Sequence, residues 1–211
     1  MLYPQAPWIL KGYAVANLEF VDIEKVHSLI PKELNIVSLL PGKTIGCVYL
    51  SYYSSGSVLE YSELIVAPAL VSYEGKLGGW VSHIYVDSAN SVAGGREIWG
   101  LPKELAEFTW ENNERVTVQQ GHKTLCSLSY QKQSMTLRPP QITISSFSTM
   151  GTDLLMFPAK FTSNLGLVGS KLEIPTESPF AELALGKPFL TVGCQDLGLS
   201  IDAPEVVGLK L

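Results

Sequence analysis

Runs rich in valine, isoleucine, tyrosine, threonine and phenylalanine recur along the chain, separated by short stretches that carry glycine or proline. The punctuation falls at Pro41-Gly42, Ser54-Ser55-Gly56, Glu74-Gly75, Gly78-Gly79, Asn112-Asn113, Pro139-Pro140 and Gly186-Lys187-Pro188. Turns at such short intervals between β-branched and aromatic runs predict an antiparallel sheet or barrel. The predicted strands cover residues 13–21, 44–53, 61–73, 80–86, 106–111, 115–120, 124–131, 141–147, 165–174, 188–194 and 199–203. The runs 115–120 and 124–131 pair across Gly121-His122-Lys123.

Helical spacing is scarce. Asp22 can cap a helix to about residue 30, with Ile23, Val26, Leu29 and Ile30 on one face. Pro31 ends it. Ser178-Pro179 places a cap before a first-turn proline and opens a short helix over 178–185. A third, made irregular by Pro102, is expected around 95–105. The fold class predicted is α+β, predominantly antiparallel β, in a single domain across 1–211.

Composition narrows the picture. With 46% hydrophobic and 17% charged residues among 211, the chain has enough apolar surface to build a core and disorder is excluded. No apolar run approaches the roughly 20 residues of a membrane span. The most apolar stretch, 64–71, contains Pro68 and reads as a buried strand. The N-terminus lacks a basic segment followed by an apolar one, so a cytoplasmic protein without a signal peptide is expected. A net charge of −5 and the absence of a basic stripe argue against nucleic acid. Cys47, Cys126 and Cys194 are odd in number and widely spaced, which suits reduced, mostly buried thiols. His27, His83 and His122 form no ligand motif, so neither a metal nor another cofactor is expected.

The chemistry concentrates in residues 94–106, which read Gly-Gly-Arg-Glu-Ile-Trp-Gly-Leu-Pro-Lys-Glu-Leu-Ala. This segment resembles the acetoacetate decarboxylase signature, in which a Gly-Arg-Glu turn leads to Pro-Lys-Lys-Leu. The resemblance implies a β-barrel with a few short helices and a Schiff-base lysine, which falls on Lys103. An iminium at the β-carbon of a keto acid accepts the electrons released by decarboxylation, and only a neutral amine can form it. A free lysine, with a pKa of about 10.4, is almost wholly protonated at neutral pH, so the site must favour the neutral amine. Activation by desolvation and a neighbouring cation is known from acetoacetate decarboxylase itself and comes here only through the resemblance. The family's second lysine is Glu104 in this chain.

Tyr61-Ser62-Glu63 is similar to the family's Tyr-Thr-Glu, which makes Glu63 the candidate acid/base. The segment His83 to Asp87 occupies the place of a pocket-lining strand, which brings in Tyr85. Arg96, Leu101 and Glu104 complete the expected substrate-binding set. Arg96 and Glu97 read first as residues that fix the turn. Two polar pocket residues of the family fall near Val48 and Gly12, so a less polar pocket is expected.

The N-terminal part resembles a plant subgroup more specifically. Pro7-Trp8-Ile9-Leu10-Lys11-Gly12, Ile30-Pro31-Lys32-Glu33-Leu34 and Ser62-Glu63-Leu64-Ile65-Val66 are similar to segments of plant neoxanthin-deficient proteins. The resemblance leaves two readings open. One is a lyase that forms a Schiff base between Lys103 and a keto acid or related carbonyl compound. The other is a non-catalytic binder of an apolar, carotenoid- or lipid-like ligand. On either reading Trp8, Trp80, Trp99 and Trp110 are chiefly core or interface anchors, and a homo-oligomer is implied.

Overall fold

A computed structural model describes residues 3–112, 114–131 and 135–210. The chain forms β1 (Trp8–Asp22), α1 (Ile23–Val26), β2 (Asn35–Ile36), β3 (Lys43–Tyr53), β4 (Tyr61–Ala67), β5 (Ala69–Tyr73), β6 (Lys76–Trp80) and β7 (His83–Val86). It continues through α2 (Ala89–Trp99), β8 (Lys103–Leu105), β9 (Glu107–Glu111), β10 (Arg115–Gln120), β11 (Lys123–Tyr130) and β12 (Ile142–Met150). The last strands are β13 (Asp153–Leu167), β14 (Ser170–Glu173), β15 (Leu190–Ile201) and β16 (Glu205–Leu209).

A 12-stranded sheet runs β2-β5-β6-β12-β13-β15-β1-β3-β4-β7-β8, with β16 beside β13, and a 4-stranded sheet runs β14-β11-β10-β9. Pairing is antiparallel except between β6 and β12 and between β7 and β8. The expected β-dominated α+β class holds. The expected barrel does not close by hydrogen bonds, because β2 and β8 end the path.

The central strands are buried on both faces. On β3, Val48 and Leu50 enter one core while Tyr49 and Tyr53 enter a second. On β4, Leu64 and Val66 face the first core and Tyr61 and Ile65 the second. On β7, Tyr85 belongs to the first, and Ile84 and Val86 to the second. Side chains alternate along a strand, so Glu63 shares the face of Tyr61 and Ile65. The first core also holds Val116, Val118, Leu125 and Leu128, where the small sheet packs. The second is the wall of the candidate site.

Several expected elements shift. The run 61–73 breaks at Pro68, and its halves, β4 and β5, lie far apart in the strand order. The run 80–86 divides into the end of β6 and β7, and Gly78-Gly79 lies inside β6. The helix expected over 95–105 is α2, which starts earlier, and Lys103 lies on a strand. The helix expected over 178–185 is only a 3-10 turn at Ala181–Leu183. The helix from Ile23 passes into a 3-10 turn at His27–Leu29. The runs 188–194 and 199–203 join in the continuous β15, and β13 reaches well upstream of residue 165. Asn112 takes a left-handed φ of 48° at its turn, while Asn113 lies outside the described residues.

Candidate functional site

Helix α2 sets the frame of the site. The Ser88 hydroxyl accepts a hydrogen bond from the Ser91 N–H and caps the first turn. The helix stops at Gly100, whose φ of 61° suits glycine and whose N–H returns to the Arg96 and Gly95 carbonyls. Leu101 and Pro102 then carry the chain into β8. There Lys103 lies beside Ile84 in parallel register. The Arg96 Nε–H donates to the Lys103 carbonyl at 2.8 Å, tying the helix to the strand.

Gly94 and Gly95 sit inside α2 despite their poor helix propensity. Contact explains both. A Cβ on Gly94 would lie 2.5 Å from Trp8 Cζ2. A Cβ on Gly95 would lie 2.6 Å from Lys103 Cε and closer still to Cδ. The two glycines let the helix approach an indole and the stem of the candidate lysine.

Lys103 is only 3% exposed. Its Nζ donates to Glu63 Oε1 at 2.7 Å and to Ser91 Oγ at 3.0 Å. It also lies 5.1 Å from the centre of the Tyr61 ring and 5.6 Å from that of Trp8, inside cation–π range. Glu63 is equally buried, and the Tyr53 hydroxyl donates to its Oε2 at 3.1 Å. The Tyr49 and Tyr53 hydroxyls lie 3.5 Å apart. Burial above all pushes the Tyr53 and Tyr61 phenols well up, with neighbouring phenols and the Glu63 charge adding to it. Both phenols therefore stay protonated at neutral pH. Trp8 meets Trp99 edge to face at 5.0 Å, and their indole N–H groups are engaged by the Pro4 and Asp202 carbonyls.

The Lys103–Glu63 pair lies at one end of a cavity of about 300 Å³. The rest of the wall is almost wholly apolar, and Ile65, Val81, Phe157, Phe161 and Leu199 are among the residues that line it. Ile144 lines it too and is 52% exposed, which marks the mouth. The site thus has a buried end that holds an amine, a carboxylate and hydroxyls, and an apolar wall that reaches the surface at Ile144. A lysine amine beside a carboxylate can form and hydrolyse iminium ions.

Of the residues expected from the sequence, Lys103, Glu63 and Leu101 line the cavity. Tyr85 points into the opposite core, near Phe180. Glu104 projects away from Lys103, as alternation along a strand requires, and is exposed, accepting from Gln120 Nε2 at 2.8 Å. Arg96 is exposed and serves the backbone. Sequence reasoning missed Ser91 and Tyr53 and assigned Trp8 only an anchoring role. The alternation Tyr49, Ser51, Tyr53 was the available signal, since it sets three polar groups on one strand face. Among the described residues no group of three or more side chains is arranged to hold a metal, and no helix is long and apolar enough to cross a membrane.

Comparison with known proteins agrees with this architecture. The tomato protein NEOXANTHIN-DEFICIENT 1 is 33% identical over 107 residues, covering 51% of this chain and 36% of the relative. An acetoacetate decarboxylase of Burkholderia vietnamiensis is 31% identical over 118 residues, covering 53% of this chain and 44% of the relative. These matches span less than half the length of either relative. The crystal structure of acetoacetate decarboxylase from Legionella pneumophila superposes with a TM-score of 0.83 at 16% identity, covering 99% of this chain and 90% of that one. The enduracididine biosynthesis enzyme MppR superposes with a TM-score of 0.72 at 13% identity, covering 98% and 90%. Such low identities bear on the fold alone. The model of the acetoacetate decarboxylase family matches residues 15–153, more than half of the sequence, and the chain belongs to that family.

Proposed function

We propose that this chain is a carbon–carbon lyase of the Schiff-base type, acting through Lys103 on a keto acid or related carbonyl compound. The observation that carries the reading is the Lys103–Glu63 pair at the buried end of an apolar cavity. A buried ion pair is weak evidence for stability, because desolvation offsets its attraction. A lysine, a carboxylate and a serine hydroxyl converging in a cleft fit a functional site better.

The geometry supports a defined sequence of proton movements. Glu63 takes a proton from Nζ across 2.7 Å, leaving a neutral amine and a carboxylic acid. The amine lone pair attacks the carbonyl carbon, and the π pair moves to oxygen, which ends as hydroxyl after a proton passes from nitrogen. Glu63 then returns its proton to that hydroxyl. Water leaves with the C–O pair, and the nitrogen lone pair closes the iminium, which stays opposite the carboxylate. With a β-keto acid, the C–CO₂ bond pair becomes an enamine as CO₂ departs. Protonation at carbon and hydrolysis restore the amine. Ser91 and the Tyr61 and Trp8 rings hold Nζ in place through these steps.

Borohydride reduction in the presence of acetoacetate or pyruvate, followed by peptide mapping, tests the reading. A reduced adduct on Lys103 is expected. An unmodified Lys103 across a panel of carbonyl compounds would overturn it. The single-domain extent over 1–211, a cytoplasmic setting and a homo-oligomer belong to the same proposal. Exposed apolar side chains such as Ile9 and Leu105 give the last of these some support.

A second reading is favoured by the apolar wall and by the likeness to NEOXANTHIN-DEFICIENT 1. Here the cavity holds an apolar, carotenoid- or lipid-like ligand and performs no chemistry. It predicts that Lys103→Ala keeps ligand binding. A folded Lys103→Ala variant that loses both binding and function would exclude it.

A further inference from the structure

Among the described residues, the cavity wall carries one cationic side chain, Lys103, and one anionic side chain, Glu63, and they neutralise each other across 2.7 Å. Other cations near in sequence are turned away. Arg96 is exposed and bonded to a backbone carbonyl. Lys160 lies between the wall residues Ala159 and Phe161 on β13 but pairs with Asp202 at 2.7 Å. Position 104, one residue beyond Lys103, is an exposed glutamate.

This charge count selects among guests. Converting Lys103 to an iminium preserves one positive charge, which Glu63 balances. A neutral carbonyl compound therefore leaves the buried end electrically neutral. A guest with a carboxylate next to its carbonyl adds a second negative charge there, with no second cation among the described lining residues to meet it. An uncompensated charge in an apolar enclosure is strongly disfavoured. The wall beyond the pair offers van der Waals contact and almost nothing polar, which suits a hydrocarbon tail.

We infer that the preferred guest is a neutral ketone or aldehyde bearing an apolar tail, with its carbonyl carbon at Lys103 Nζ and its tail running toward Ile144. The inference rests on the Schiff-base part of the reading above: it keeps the Lys103 iminium and sets a neutral carbonyl compound, with enamine formation by α-proton loss, in place of the decarboxylation of a keto acid. The chemistry of such a guest balances without a carboxylate. Iminium formation releases one water. Glu63 then takes a proton from the α-carbon, the C–H pair forms the enamine double bond, and the C=N π pair moves onto nitrogen. Return of a proton to carbon and hydrolysis regenerate the carbonyl compound and the amine. In deuterium oxide the guest exchanges its α-hydrogens.

The test is borohydride trapping on the full chain with 2-nonanone, 2-oxononanoate and acetoacetate at equal concentration, read as adduct on Lys103 by peptide mapping. The ketone and the nine-carbon keto acid match in length and differ by the carboxylate. Labelling by 2-nonanone is expected to exceed that by either keto acid at least about tenfold. Glu63→Gln removes the competing negative charge, so the ratio should shift toward 2-oxononanoate even as both rates fall. A merely structural Glu63 would leave that ratio unchanged. Equal or better labelling by the keto acids in the wild type would overturn the substrate class and leave the Schiff base standing. No adduct on Lys103 with any of the three would overturn both.

Discussion

Gly95→Ala is the most instructive single change. The added Cβ would stand 2.6 Å from Lys103 Cε and 3.0 Å from Cγ, with Cδ nearer still. Ordinary contact begins at 3.4 Å, so the shortfall at Cε alone is about 0.8 Å. The stem cannot swing aside freely, because Nζ is held by Glu63 and Ser91 and the backbone carbonyl by Arg96. Overpacking of this kind costs about 1–3 kcal/mol. Alanine's better helix propensity returns about 1 kcal/mol. The net loss of stability is therefore small, about 0–2 kcal/mol. The effect on chemistry is larger, because relieving the overlap moves the stem by most of an ångström. A misplacement of about 1 Å can reduce rate about 10²-fold. Urea denaturation and the rate of borohydride trapping measure the two effects on the same preparation. A variant that traps a carbonyl compound as fast as the wild type would refute the argument that Gly95 seats the lysine. Gly94→Ala, whose Cβ meets Trp8 instead, should lose stability with a smaller loss of trapping.

Other outcomes follow from the same geometry. Lys103→Met leaves the Glu63 charge buried alone and should cost about 3–5 kcal/mol in urea denaturation, whereas Lys103→Met with Glu63→Leu should recover most of it; additive losses would deny the coupling. Burial pushes the thiols up, to about 12 for Cys47 and Cys126 and about 11 for Cys194. At pH 8 roughly a thousandth or less of each is thiolate, so a disulfide reagent should react slowly with the native chain and fully in urea, with Cys47 first because it opens onto the cavity. Tyr13 is pushed to about 12 by burial and then by Tyr52, and Tyr53 and Tyr61 well above the ordinary phenol value. Above about pH 10 the unfolded chain releases phenol protons that the folded chain retains, so this stability is present below that pH and declines as pH rises. The urea midpoint should fall between about pH 9 and about pH 11, and a flat profile would contradict the burial of these phenols.

The legible parts of the fold were those with local causes. The hairpin of β10 and β11 declared itself by two alternating runs around a glycine turn, and Arg115 pairs with Ser129 in the observed register. Helix α1 does begin after Asp22 and Pro31 follows its 3-10 extension, but the Asp22 carboxylate pairs with Lys43 at 2.6 Å and does not cap the helix. The misplaced helix had a non-local cause. Gly94 and Gly95 look like a helix start when propensity alone is weighed, but Trp8 and Lys103 need the room. Ser88 and Gly100, at the two ends, were the better signals. Pro68 appeared tolerable inside one strand because apolar residues continue past it. A proline lacks the N–H for a central ladder, and the chain turns there. In the site, Lys103 and Glu63 were legible through the motif. Tyr53 was signalled only as one of three polar groups on a strand face, and Ser91 not at all, because their roles depend on which faces of β3 and α2 meet the amine. The two-sided burial of β7 likewise hid which of its residues faces the cavity.

The cavity is assembled from two stretches of the chain. Its proton-handling end is assembled from Tyr53, Glu63, Ser91 and Lys103, all within one stretch of β3 to β8. Much of its apolar wall comes from the later strands, through Ile144, Phe157, Phe161 and Leu199. Substitutions in β12, β13 and β15 can therefore reshape what is admitted while the amine and its partner stay as they are. Ile65, Val81 and Ile84 add wall from the first half, so the second half reshapes only its own side. A lineage could exchange one guest for another by editing the wall, and retain the reaction by leaving the first half alone.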